Sequence, residues 1–257
     1  MDILLTNDDG IHAIGVKSLY SELKNSGHNV FVVAPLTEQS AVGHSLTIFS
    51  PITAREISED GFSGIALSGT PVDCIKWAMN SYLEKRPELV VSGINSGANV
   101  GIDVLYSGTV SAATEGALAG IASMAVSIDN FNPRDLGKQA GWVTRFIEEF
   151  SWSSLPERNI LNINFPACKM ELIKGIKVCA QTNVVYNDYY HSRKDPRGRP
   201  YYWLGGDIPM ERVDPETDRA FLSRGYITLT PLRFELTNLG LMSELQGLVK
   251  SDNLKIK

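Results

Sequence analysis

Asp8 and Asp9 stand side by side in the stretch TNDDG, directly behind the apolar run Ile3-Leu4-Leu5. Like charges at adjacent positions repel, and neither carboxylate belongs to a solvated run of charges. Such a pair has two uses. Asp-Gly is a common turn dipeptide, so the stretch can serve as a simple turn. Alternatively the pair holds a cation, without which one carboxyl tends to keep its proton. Asn7 adjoins the pair, and two later stretches carry similar side chains: Glu38, Ser40 and His44 in LTEQSAVGHS, then Asn95, Ser96 and Asn99 in GINSGAN. Carboxylate, amide and hydroxyl oxygens without a Cys/His cluster suit Mg²⁺, Mn²⁺ or Ca²⁺ better than zinc. Taken singly, Ser40 and Asn95 read equally well as loop or capping residues. Only a shared location would favour the metal.

A second constellation lies in YSGTVSAATEGA, where Ser107, Gly108 and Thr109 open a helix whose first turns carry small side chains. A helix start presents unpaired N–H groups and the positive end of the helix dipole, which favour a phosphate. Gly108 lets the backbone come close. The competing use is capping, in which Ser107 or Thr109 serves the first turn with no ligand involved. A cation and this helix start together would neutralise a phosphomonoester from two sides. His12 and His44 lie in or beside the loops and could protonate a leaving oxygen, but loop histidines more often pack or hydrogen-bond. Both stay outside the catalytic set.

The elements that must position these residues alternate up to about residue 166. DILLT, NVFVVAP, ELVVSGIN, MAVSI and NILNINFP read as buried strands, and SLTIFSPITAREI as extended chain. AIGVKSLYSELKNSG, PVDCIKWAMNSYLEK, TVSAATEGALAGI and LGKQAGWVTRFIEEF read as helices. Apolar strands separated by helices indicate a Rossmann-like, doubly wound and mostly parallel α/β sheet covered on both faces. In such a sheet ligands bind beyond the C-terminal strand ends, where all three oxygen-rich loops fall. Beyond Pro166 the character changes. IKVCAQ reads as a strand, NVVYNDYYHSRKDPRGRPYYWLGG as a polar-aromatic hairpin, and YITLTPL with NLGLMSELQGLV as strand plus helix. The expected organisation is a single domain over 1–257, with its core at about 1–166 and a hairpin extension at about 180–205.

Charge narrows the partners. A formal net charge of -5 argues against a nucleic-acid polymer, which calls for a basic face. Any anionic substrate must be met locally. Cys74, Cys168 and Cys179 have no CxxC spacing and read as thiols in a reducing compartment. The first residues lack a basic segment, and GALAGIASMAVSI is too short and Gly/Ala-rich to span a bilayer. No membrane partner and a cytoplasmic location are expected. GxxxxGK[ST], GxGxxG and GxSxG are absent, and TNDDG is not DxDx[TV], so metal-activated water is a better nucleophile candidate than a covalent serine or aspartate.

ILLTNDDGIHAIG, VVAPLTEQSAVGHSLT, SGTPVDCIKWA, LVVSGINSGANVG and YSGTVSAATEGA strongly resemble the SurE family, the stationary-phase survival proteins that act as 5'/3'-nucleotidases. The match is nearly continuous over residues 1 to about 130 and looser beyond. It implies a divalent ion held by Asp8, Asp9, Ser40 and Asn95, for which Mg²⁺ or Mn²⁺ suits the oxygen donors; either Asp8 or Asp9 could then orient the water as a base, and nothing in the sequence chooses between them. It implies hydrolysis of nucleoside monophosphates and, in some members, of short polyphosphate. It also implies a homodimer or homotetramer in which a C-terminal segment, here about 225–257, swaps between subunits. The hairpin aromatics Tyr186, Tyr189, Tyr190, Tyr201, Tyr202 and Trp203 agree with a role in assembly. Two rivals remain: a metal-dependent deacetylase, whose loop would favour a zinc-binding His where Thr6-Asn7 stands, and a non-enzymatic nucleotide- or phosphate-binding module.

Overall fold

The first strand is buried on both sides because its apolar residues face opposite ways. Ile3 and Leu5 join one core cluster and Leu4 the other. A strand buried on both faces belongs in the middle of a parallel sheet. The computed structural model, which describes residues 1–250, has this arrangement. In chain order its elements are β1 (Asp2–Thr6), α1 (Ile14–Asn25), β2 (Asn29–Pro35), β3 (Ala54–Glu59), β4 (Phe62–Leu67), α2 (Pro71–Trp77), β5 (Leu89–Ser96), α3 (Gly108–Leu118) and β6 (Ala122–Ile128). There follow α4 (Gly137–Glu149), β7 (Asn159–Phe165), β8 (Ile176–Val178), β9 (Asn187–Lys194), β10 (Pro200–Asp207), α5 (Asp218–Ser223), β11 (Ile227–Arg233) and α6 (Leu239–Lys250).

Nine strands form one sheet in the order β3-β4-β2-β1-β5-β6-β7-β11-β8. From β4 to β7 every pairing is parallel, whereas β3 and β11 run antiparallel to β4 and β7. Val16, Leu19 and Leu23 of α1 pack with Ala140, Val143 and Ile147 of α4 on one face. Cys74 and Ile75 of α2 lie with Ala112 of α3 on the other. The chain steps outward from β1 through β2 to β4, then returns to lay β5 on the opposite side of β1. The gap between the C-terminal ends of β1 and β5 is therefore the switch point at which open α/β sheets bind ligands.

Four elements depart from the sequence reading, α5 being unassigned there. FSGIAL, unassigned there, is strand β4: Asp60 and Gly61 adopt φ of 48° and 77°, the two-residue turn that closes a hairpin onto β3. Of SLTIFSPITAREI, only the end from Ala54 joins a strand. The helix expected to run to Lys85 stops its regular turns at Trp77 and passes into a wider turn over Ala78–Tyr82. There Asn80 Nδ2 donates to the Lys76 carbonyl at 2.7 Å, and the Trp77 and Tyr82 rings stack with centroids 5.6 Å apart.

The expected hairpin forms a separate two-stranded sheet, β9 with β10, exposed along nearly its whole length. β11 lies within the chain's own main sheet, between β7 and β8. α6 is exposed, and residues 251–257, the end of the anticipated exchange segment, lie outside the described residues. Among the described residues no helix is long and apolar enough to cross a membrane.

Candidate active site at the switch point

Asp8 and Asp9 leave β1 at the switch point, and hydrogen bonds draw the other two loops to them. The Asp8 carbonyl accepts the Gln39 N–H at 2.7 Å, which brings Ser40 alongside. Asp9 Oδ2 accepts the Ser96 N–H at 2.9 Å, which brings Asn95 alongside. Gly10 packs against the backbone of Thr37 and Glu38, and the Ile11 N–H reaches the Pro35 carbonyl at 2.8 Å. The three oxygen-rich loops thus meet at one place.

Two backbone features aim Asn95. The β5–β6 register breaks between Ser92 and Asn95, and Gly93 sits at φ 143°, a conformation side chains other than hydrogen rarely adopt. Such a break redirects the side chains that follow it. Helix α1 then presses on the same spot: a Cβ added to Gly15 would lie 1.9 Å from the Ile94 carbonyl oxygen.

Asp8 is the buried member of the pair, 5% exposed. Its carboxylate accepts the Thr109 N–H at 3.1 Å and a short hydrogen bond from the Thr109 hydroxyl. Burial pushes its pKa up to about 6, partly opposed by Thr109 and reinforced by the charge of Asp9. Burial also raises Asp9; the Ser96 N–H works against this and Glu38 adds to it. The two acids therefore crowd their charge into a poorly solvated place, and among the described residues no basic side chain is hydrogen-bonded to either.

The other residues divide clearly. Ser40 Oγ donates to Glu38 Oε1 at 2.5 Å and Asn95 Nδ2 donates to the Gly97 carbonyl at 2.7 Å, which leaves the Ser40 lone pairs and Asn95 Oδ1 as acceptors. Asn7 Oδ1 is buried without a hydrogen-bond partner among the described residues. Among the described residues no group of three or more His, Cys, Asp or Glu is arranged to hold a metal. A cation here would need the serine and amide oxygens as well as the carboxylates, and an all-oxygen set of this kind fits a hard divalent ion.

Ser107 caps α3: its hydroxyl accepts the Val110 N–H at 3.0 Å. Thr109 commits both its donors to Asp8, whereas the Gly108 N–H makes no internal hydrogen bond among the described residues. A Cβ on Gly108 would stand 2.8 Å from Asp8 Cβ, so this glycine lets the helix start sit directly on the acid. The Thr109–Asp8 contact had no signal in the sequence. Of the remaining loop residues, His12 contacts Glu59 and His44 contacts Glu115, each at 2.9 Å. Asn99 is structural, its side chain and backbone bonded to Ser127, Asn162 and Asn164. Asp73, also missed, holds Thr47 and Thr70 in place; the capping-box spacing of Thr70 and Asp73 was the available clue.

Fold and site define a doubly wound α/β protein with an acidic, hydroxyl-rich ligand site at its switch point. Residues 3–188 match the family model described as survival protein SurE. The chain is 54% identical over 245 residues to the 5'-nucleotidase SurE of Solidesulfovibrio magneticus, covering 95% of this chain and 96% of that one. It is 52% identical to the protein of the same name from Maridesulfovibrio salexigens, covering 93% and 95%. The crystal structure of the SurE protein from Aquifex aeolicus superposes with a TM-score of 0.83 at 38% identity, covering 96% of this chain and 99% of that one. The chain belongs to the SurE family.

Proposed function

We propose that the chain is a divalent-metal-dependent phosphomonoesterase, a 5'-nucleotidase that hydrolyses nucleoside monophosphates to nucleoside and phosphate. The observation that carries this reading is the stitched pair at the switch point: two carboxylates short of counter-charge, one of them seated on the first turn of α3. The near full-length similarity to proteins named 5'-nucleotidase supports the substrate class.

Asp8, Asp9, Ser40 and Asn95 would hold the ion, Mg²⁺ or Mn²⁺. When bound, it neutralises phosphate charge and lowers the pKa of a water molecule. The protein's own groups then divide the work. The α3 N-terminus, through the Gly108 N–H and the Ser107 hydroxyl proton, binds the phosphoryl oxygens and stabilises their charge, while Thr109, whose donors are given to Asp8, seats the acid against the helix start. Asp8 has its carboxylate engaged by Thr109 and is buried. Asp9 is more exposed and is the better placed of the two to orient the attacking water and hold its proton. The loop histidines are turned to glutamates, which leaves the deacetylase alternative without its zinc ligand.

Phosphate release from a nucleoside monophosphate tests the proposal. It should stop in EDTA and return with excess Mn²⁺ or Mg²⁺; release that continues unchanged in EDTA would overturn the metal-dependent reading, and no release with any metal would overturn the nucleotidase reading. Short polyphosphate is a second substrate to include in the same panel.

For assembly, the reading is a homodimer or homotetramer with exchange of the C-terminal segment. It is supported by the exposed apolar side chains of α6, among them Leu239, Leu241, Met242 and Leu245, and by Tyr190, Tyr202 and Trp203 on the hairpin. A monomer in sedimentation at micromolar concentration would remove it. The unpaired thiols of Cys74, Cys168 and Cys179 suit a reducing compartment, so we assign the cytoplasm, which cell fractionation would test.

A further inference from the structure

The loop after β2 serves two places. It closes the acidic site, through the Gln39 N–H on the Asp8 carbonyl and the backbone of Thr37 and Glu38 against Gly10. Leu36, Thr37 and Gln39 of the same loop also line a cleft of about 320 Å³ together with Thr47, Ser68 and Thr70. The far wall of that cleft is internally satisfied. Thr47 gives its N–H and its hydroxyl to Asp73, the hydroxyl at 2.6 Å, and Asp73 also takes the Thr70 N–H at 2.9 Å. The Thr70 hydroxyl donates to the Ser45 carbonyl at 2.8 Å, and Ser68 Oγ accepts the Thr53 N–H at 2.8 Å. With these groups engaged by one another, the wall is pre-organised.

The near wall is different. Among the described residues the side chains of Thr37 and Gln39, and of Ser50 at the cleft's rim, make no internal hydrogen bond, so their donors and acceptors are available to a ligand. Among the described residues no cation lines the cleft, and Asp73, which holds Thr47 and Thr70 of its wall, is 4% exposed and already saturated by three donors. A phosphate would find nothing to meet its charge. A neutral body with many hydroxyl and amide-like edges would find partners, and Leu36 offers it an apolar surface. The volume is at the small end of the roughly 300–1,000 Å³ of ligand clefts, suited to one nucleoside and not to a longer chain.

We propose that this cleft receives the nucleoside half of the substrate, with Thr37, Gln39 and Ser50 hydrogen-bonding the ribose hydroxyls or base edge and Leu36 packing on a ring face. The inference rests on the nucleotidase reading and extends it: the loop after β2 serves both ends of the substrate, the phosphate end at the acids and the uncharged end here.

The test compares two substrates, adenosine 5'-monophosphate and p-nitrophenyl phosphate, which share the ester phosphate but not the nucleoside. In Gln39→Ala and in Thr37→Ala/Ser50→Ala, the ratio of kcat/KM for the nucleotide over the aryl phosphate should fall about tenfold, as expected for one or two lost neutral hydrogen bonds, with the loss in KM. The ratio does not depend on the fraction of each variant that folds. Adenosine should inhibit aryl phosphate cleavage competitively, and less well in both variants. A ratio within about twofold of wild type in both variants, or no inhibition by adenosine, would overturn the assignment while leaving the nucleotidase intact. A wild type that cleaves the aryl phosphate but no nucleotide would overturn the nucleotidase reading and this one with it.

Discussion

Replacing Asp8 by Asn should make the metal-free protein more stable. Asp8 is buried beside Asp9, and its carboxyl titrates at about 6 in place of the ordinary 3.8. The sign follows from linkage. Between pH 3.8 and about 6 the folded protein keeps a proton that the unfolded chain has released, so stability falls as pH rises through that window. Above it the ionised carboxylate carries a constant penalty, roughly 3 kcal/mol at about 1.4 kcal/mol per pH unit. In the Asp8→Asn variant the side chain carries no charge, and its amide can still pair with the Thr109 N–H and hydroxyl that the carboxylate now accepts. In EDTA at pH 8, differential scanning calorimetry should therefore place the variant above wild type. At roughly 2 °C per kcal/mol for a chain of this size, the gain is about 6 °C. The difference should shrink to nothing as the pH falls below the window. Saturating Mn²⁺ should reverse the order, since a ligand that binds only the folded state stabilises it. Equal melting temperatures at pH 8, or a variant less stable at every pH, would refute the idea that the acid pair is held against its own repulsion.

Three further outcomes are expected. Asp9→Asn should lose at least about a hundredfold in phosphate release even with saturating Mn²⁺, as expected for removal of a ligand that also orients water; near-normal turnover in a steady-state assay would take Asp9 out of the mechanism. Asn95→Ala should raise the Mn²⁺ concentration needed for half-maximal activity by roughly tenfold, within the range seen when a supporting metal contact is removed, and an unchanged requirement would remove Asn95 from the ligand set. Gly15→Ala should destabilise by roughly 3 kcal/mol or fail to accumulate as folded protein, because the added Cβ would meet the Ile94 carbonyl oxygen at 1.9 Å; a wild-type urea midpoint would contradict the close α1–β5 packing.

Much of the candidate site is legible in the sequence because its parts are local. A carboxylate pair that ends an apolar run is visible at residues 8 and 9, and so is an amide that follows ELVVSG. Helix α3 announces itself by small residues after a Ser, and Ser107 does cap it. What stayed hidden depends on contacts across long stretches of chain. Thr109 reaches an acid 101 residues away, and Asp73 organises Thr47 over 26 residues; neither pairing leaves a trace in spacing or composition. Strand β4 escaped notice because FSGIAL is short, and the extended run read before it ends at Ile57, ahead of the Asp60-Gly61 turn.

The sequence alone determined the alternation of buried strands and amphipathic helices, the chemical character of the loops that end those strands, and the family. Those properties follow from residue type and local period. Only the tertiary structure decided that β1 lies between β2 and β5, and so that the loops carrying Asp8, Asp9, Ser40 and Asn95 meet at one switch point, with the start of α3 against Asp8. Strand order is set by pairing between segments tens of residues apart, and no short-range pattern encodes which neighbour a buried apolar strand will take.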